Sequence, residues 1–185
     1  MRRLRFALIL AAAGLACWAG FRDAVLGPLV RPLEALAARV TAGLVHALGT
    51  EALLAGTVVY HPGGFAFQIS RGCLGLVPLA LLAAGIVAYP APGRRKLWGL
   101  LAGLPALATL NLLRLAQLFI TGVRWPGAYD VAHEVVWQAI VVVATLGIWL
   151  AWVRRVDRSR ELLAAPAGRG GEGQRADALG RRNGT

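Results

Sequence analysis

Three side chains far apart in the sequence, Cys73, Arg114 and His133, carry the parts of one reaction. A thiolate attacks an amide carbonyl, and an imidazole within reach holds the thiol deprotonated and then protonates the leaving amine. A guanidinium answers the negative charge that develops on the carbonyl oxygen. Together they make a cysteine acyl-transfer site. Each also has a plain structural reading. Cys73 can be a small apolar residue at a helix start, Arg114 can snorkel toward a membrane surface, and His133 can be an interfacial polar residue. Where the chain puts them decides between these readings.

The elements that must position them are membrane helices. The 185 residues are 57% hydrophobic, with a mean hydropathy of +0.60. Uncharged runs extend from Phe6 to Phe21, from Leu74 to Val123 with breaks only at Arg94–Lys96 and Arg114, and from Val135 to Val153. About 20 apolar residues cross a hydrocarbon layer roughly 30 Å thick as a helix. The expected fold is an all-α multi-pass transmembrane bundle of about four spans, with an external amphipathic helix and a short β-hairpin. A membrane-embedded domain is expected over residues 1–158. A disordered, Ala-, Gly- and Arg-rich cytoplasmic tail is expected over 159–185.

The net charge of +11 reports topology rather than a nucleic-acid partner. Fourteen of the 20 Lys and Arg fall in three places: Arg2 to Arg5, Arg94 to Lys96, and the C-terminal stretch from Arg154. Basic clusters thus border alternate ends of the spans, the pattern of the positive-inside rule. The spans are expected at about Leu4–Phe21, Gly72–Ala91, Leu97–Gly122 and Asp130–Val153, with both termini cytoplasmic. The first span reads as an uncleaved signal anchor rather than a cleaved signal ending at Cys17. This orientation puts Cys73, Arg114 and His133 toward the same non-cytoplasmic face.

The external region from Arg22 to Arg71 has two parts. Leu29, Leu33, Leu36, Val40, Leu44 and Leu48 recur at helical spacing, with Arg31, Glu34 and Arg39 on the opposite surface, which predicts an amphipathic helix lying in the membrane interface or over the other helices. Thr57–Tyr60 and Phe65–Ile69, joined by His61-Pro62-Gly63-Gly64, predict a hairpin that delivers the chain into Arg71-Gly72-Cys73. With the second span starting near Gly72, the thiol lies in its first turn, where the helix dipole favours a thiolate. Arg114 sits in an otherwise uncharged segment, where a charge costs about 2.5–3.5 kcal/mol to insert and is usually functional. Asn111 shares its face one turn away. Asp130 and Glu134 flank His133, and either can orient the ring. His46 and His61 match no short ligand motif, so neither a metal nor another cofactor is expected. Two cysteines imply no disulfide framework.

With these residues in place, the stretch from about Gly56 to Arg154 resembles the exosortase and archaeosortase family of multi-pass membrane cysteine transpeptidases, and most closely its compact exosortase H type. The resemblance rests on Gly72-Cys73-Leu74-Gly75, on Asn111-Leu112-Leu113-Arg114, and on His133 opening the last span. Leu74 stands where many exosortases have Ser, which argues against the larger types more than against the H type. The resemblance implies Cys73 as nucleophile, His133 as acid and base, and Arg114 as the third site residue. Arg71, Asn111, Asp130 and Glu134 support or bind substrate around them.

It further implies a bacterial inner-membrane enzyme without cofactor, with its site on the periplasmic or exterior side. Exported proteins bearing a C-terminal sorting signal (a short motif, a transmembrane helix and a basic cluster) are cleaved and passed to a surface acceptor. The competing class is a non-catalytic membrane subunit or a small anion transporter that uses Arg114.

Overall fold

The computed structural model describes residues 11–12 and 23–164. The expected first span apart from residues 11–12, Cys17 and the tail beyond Ala164 lie outside the described residues. The chain divides into two units, residues 1–150 and 151–185. Everything that positions the site belongs to the first.

A long helix, α1 (Asp23–Ala47), leads into a three-stranded antiparallel sheet. Its strands are β1 (Leu53–Ala55), β2 (Val58–Tyr60) and β3 (Ala66–Gln68). The pairing sets Ala55 opposite Val58 and Tyr60 opposite Ala66. The expected hairpin is β2–β3; β1 is an addition. Gly56, with φ +65°, opens the two-residue β1–β2 loop, as a glycine-first hairpin turn requires. His61 closes the other loop, its Nδ1 accepting the Gly63 N–H at 2.9 Å.

Helix α1 lies against the protein with a face that is rotated by roughly a quarter turn from the leucine stripe. Val30, Ala37, Ala38, Thr41 and Val45 are buried, while Leu36 and Leu48 are 56% and 61% exposed. The helical period is as expected, and the stripe lies beside the inward face, with Leu44 packed against the core. The inward face is small, so α1 approaches the third helix closely, as small-residue stripes allow in membranes. Leu33, Leu36 and Val40 face outward, where lipid tails accept apolar side chains. Ala37, Ala38 and Val45 of α1 join Val59, Ile69, Leu115, Ala116 and Phe119 in one core cluster, with Cys73 and Leu74 packed on its edge.

The second helix, α2, runs only from Leu76 to Ala88. Its 13 residues span about 20 Å at 1.5 Å each, so it is shorter than the expected Gly72–Ala91 span and than a bilayer core. Gly75 in the left-handed region starts it, and Tyr89 turns extended ahead of Pro90 to end it. Lys96 Nζ donates to the Val87 carbonyl at 2.5 Å, satisfying one of the last turn's free acceptors.

Among the described residues, two segments have the length and apolarity of a membrane crossing, α3 (Gly93–Arg124) and the helical stretch Pro126–Ser159. The latter opens with a 3₁₀ turn (Pro126–Ala128), one α turn (Tyr129–Val131) and a π turn (Ala132–Val136) before the regular helix α4 (Trp137–Ala164). Helix α4 therefore continues well past the expected end at Val153.

Candidate active site

The cysteine is fixed by its backbone. Arg71–Leu74 form a 3₁₀ turn, closed by the Cys73 N–H donating to the Ser70 carbonyl at 2.8 Å. Gly75, at φ +67°, separates this turn from α2. Cys73 thus precedes the helix instead of lying in its first turn, and the dipole argument for a thiolate does not carry over in that form. What stands beside the sulfur is a hydroxyl: Ser70 Oγ lies 3.7 Å from Cys73 Sγ. From α3, Asn111 Nδ2 donates to the Cys73 carbonyl at 2.8 Å. A β-carbon on Gly75 would lie 3.0 Å from the Asn111 amide. Glycine is required there both by the backbone angle and by the close amide.

Asn111 and Arg114 lie one turn apart on α3 and are only 6% and 7% exposed. Arg114 Nε and Asn111 Oδ1 are buried without a hydrogen-bond partner among the described residues. Buried polar atoms are nearly always paired. Of the two, Arg114 also lines the cavity described below, so its Nε–H is a donor free to meet a bound group there.

His133 is carried by the π turn, which closes with the Trp137 N–H on the Ala132 carbonyl. Such single π turns inside helices occur often at functional sites. The group lying against the imidazole is Tyr129, stacked with 5.8 Å between ring centroids and 13° between planes. Asp130 and Glu134 are both exposed. Tyr129 is also close enough to Cys73, Asp130 and Arg114 to interact with them electrostatically.

A cavity of about 740 Å³ collects these groups. Arg71, Cys73, Arg114 and His133 line it, with Ser70 and Gln138. The rest of its wall is mainly apolar, from Leu76 to Gly85 on α2 and from Val141 to Trp149 on α4. Gly85 lies against the Trp149 indole, with 2.9 Å left for a β-carbon, while Cys73 and His133 share the other end. Helices α2 and α4 therefore run in the same direction along a groove.

Of the seven residues singled out from sequence, the cavity wall includes Arg71, Cys73, Arg114 and His133, and Asn111 reaches it through the Cys73 carbonyl. Asp130 and Glu134 lie outside the lining. Ser70, Tyr129 and Gln138 were missed. The available signals were a hydroxyl three residues before the thiol, and an aromatic ring four residues before the imidazole.

The sequence model described as Transmembrane exosortase (Exosortase_EpsH) matches residues 1–150 of the chain. No curated protein and no solved structure shows a significant match. The match takes in the α1 face, the sheet, the Cys73 turn and both long helices as far as Leu150, and agrees with a membrane location. The chain belongs to the transmembrane exosortase family, and so to the membrane-embedded sorting transpeptidases in general.

Proposed function

We propose that the protein is a cysteine transpeptidase of the compact exosortase H type that cleaves C-terminal sorting signals of exported proteins and transfers them to a surface acceptor. The observation that carries the reading is the single cavity lined by Cys73, Arg114 and His133. An anion transporter needs the arginine but gives no reason for a thiol and an imidazole beside it.

In this mechanism His133 takes the proton of the Cys73 thiol, and the thiolate attacks the scissile carbonyl carbon. Negative charge passes to the carbonyl oxygen, where Arg114, with its unpartnered Nε, donates. The C–N bond breaks, His133 returns the proton to the departing amine, and a thioester on Cys73 remains. The acceptor nucleophile then loses its proton to His133 and attacks the thioester, which restores the thiol. Asn111 keeps the Cys73 turn in place throughout. The site faces the periplasm or exterior of a bacterial inner membrane, both termini are cytoplasmic, and the substrate's transmembrane helix lies beside the protein with its basic cluster inside.

The test is co-expression with a tagged protein carrying a matching sorting signal. Cys73→Ala and Cys73→Ser insert normally and leave the substrate full length. Processing at the wild-type rate by the Ala variant would sink the reading, because the thioester forms on the Cys73 sulfur. Labelling of Cys73 only from the cytoplasmic side would overturn the orientation.

A further inference from the structure

We propose that Tyr129 is a positioning residue that sets the His133 imidazole and ties it to the β-sheet through Phe65. The inference rests on the reading of His133 as the acid and base. A histidine in that role needs a third group to hold its ring, and the two carboxylates beside it in sequence are exposed. The surface that meets the ring is the Tyr129 phenol, nearly parallel to it at 13°.

Tyr129 is itself held from behind. Phe65 meets it edge-on, with ring centroids 5.5 Å apart at 61°. Phe65 in turn packs edge-on against Phe119 at 5.7 Å, a side chain with no exposure in the core. The Phe65 ring lies across Gly122 with no room for a methyl group between them. A continuous run of aromatic contacts therefore leads from the core of α3 through the residue entering β3 to the imidazole. Edge-on and offset ring pairs have preferred angles and separations, so the run transmits orientation as well as bulk. An imidazolium formed during the reaction is favoured by an aromatic face.

Turnover of a tagged sorting-signal substrate by the full-length, membrane-embedded protein tests this. Tyr129→Leu lowers kcat about tenfold to a hundredfold, as a small misplacement of a reacting group does, and leaves KM near its wild-type value. Tyr129→Phe, which keeps the stack, recovers most of that loss. Adding Tyr129→Leu to His133→Ala lowers the residual rate no further than His133→Ala alone. Wild-type kcat in Tyr129→Leu overturns the proposal, as do losses that multiply in the double variant. If Tyr129→Leu fails to accumulate in the membrane, Tyr129→Phe decides: a kcat loss as deep as that of His133→Ala overturns it, and near-wild-type kcat supports it. Full activity of His133→Ala is a separate result that removes the acid–base reading itself and this inference with it.

Discussion

Helix α3 and the helix that follows it both have the length and apolarity to cross a bilayer, but they are set into the protein differently. In the most apolar stretch of α3, 39% of the residues are buried; in the stretch that runs into α4 the share is 6%. Helix α3 has α1 on one side and α2 on another, and it holds Asn111 and Arg114 within its buried surface. Helix α4 leaves Ile140, Val143 and Leu150 exposed, Val143 by 69%. In water such a helix would be a liability; facing lipid, it loses nothing by exposure. One wall of the site is thus a preformed frame that carries the thiol turn and the guanidinium. The other carries the imidazole on a helix attached at a few points, among them the Phe65–Tyr129 ring contact, the Gln117–Trp137 hydrogen bond and the Gly103–Ile148 and Gly85–Trp149 contacts. A catalytic group needs rigid support, and here the support of His133 comes mainly from its own π turn and aromatic neighbours.

The largest effect that separates the two walls is expected at Arg114. Arg114→Ala removes the donor from the rigid wall and lowers kcat about a hundredfold or more. Arg114→Lys fails to restore it, because a compact ammonium does not reproduce a planar fork. Substrate turnover in membranes, normalised to inserted protein, measures both. A lysine variant with near-wild-type kcat would reduce the role of Arg114 to that of a point charge.

Gly75→Ala strikes the same wall through its backbone. The left-handed angle costs a non-glycine residue about 1–2 kcal/mol, and the added methyl meets the Asn111 amide that holds the Cys73 carbonyl. The expected result is lower thermal stability in detergent together with slower alkylation or turnover at Cys73. Asn111→Ala alone reproduces the second effect with less of the first. If Gly75→Ala were as active and stable as wild type, the Cys73 turn would not be the fixed element described above.

Gly122→Ala acts at the junction of the two walls. The methyl displaces Phe65, which is enclosed by Phe67, Phe119 and Tyr129. Overpacking of this kind costs about 1–3 kcal/mol, read as a drop in Tm of the purified protein. Because Phe65 backs Tyr129, kcat falls with it.

The contrast between the walls also explains what was legible in the sequence. The grouping of Cys73, Arg114 and His133 followed from charge clusters and uncharged runs, since both report which ends of helices share a side. The stripe on α1 had a readable period but an unreadable direction. Apolar residues mark the inward face only when water lies outside, and next to lipid Ala37 and Ala38 are the ones that pack. The end of α2 at Ala88 lies within three residues of the expected Ala91, since Pro90 stops the helix; its start was hidden, because composition does not distinguish the 3₁₀ turn at Arg71–Leu74 from a first helical turn. Tyr129 escaped notice because a tyrosine near a span end usually marks the membrane interface. Its stack on His133 depends on the turns between Pro126 and Val136, which no periodicity announces.

The smallest predicted effect tests how firmly the second wall is attached. Gln117 stands on α3, donating through Nε2 to Thr121 Oγ1 at 2.7 Å and accepting the Trp137 indole N–H on Oε1 at 2.5 Å. Trp137 is the first residue of α4, so this bond joins the rigid wall to the base-carrying helix just after the π turn. Gln117 is exposed, and a hydrogen bond is worth about 0.5–1.5 kcal/mol net; the low end applies where competing polar groups have access. Gln117→Leu therefore lowers Tm slightly and leaves the Cys73 turn untouched, so alkylation of the thiol proceeds at the wild-type rate. Turnover falls by severalfold only if the bond helps to hold His133 at the cavity. Wild-type turnover with an unchanged Tm would show that Tyr129 and its aromatic neighbours anchor the second wall without help from this bond.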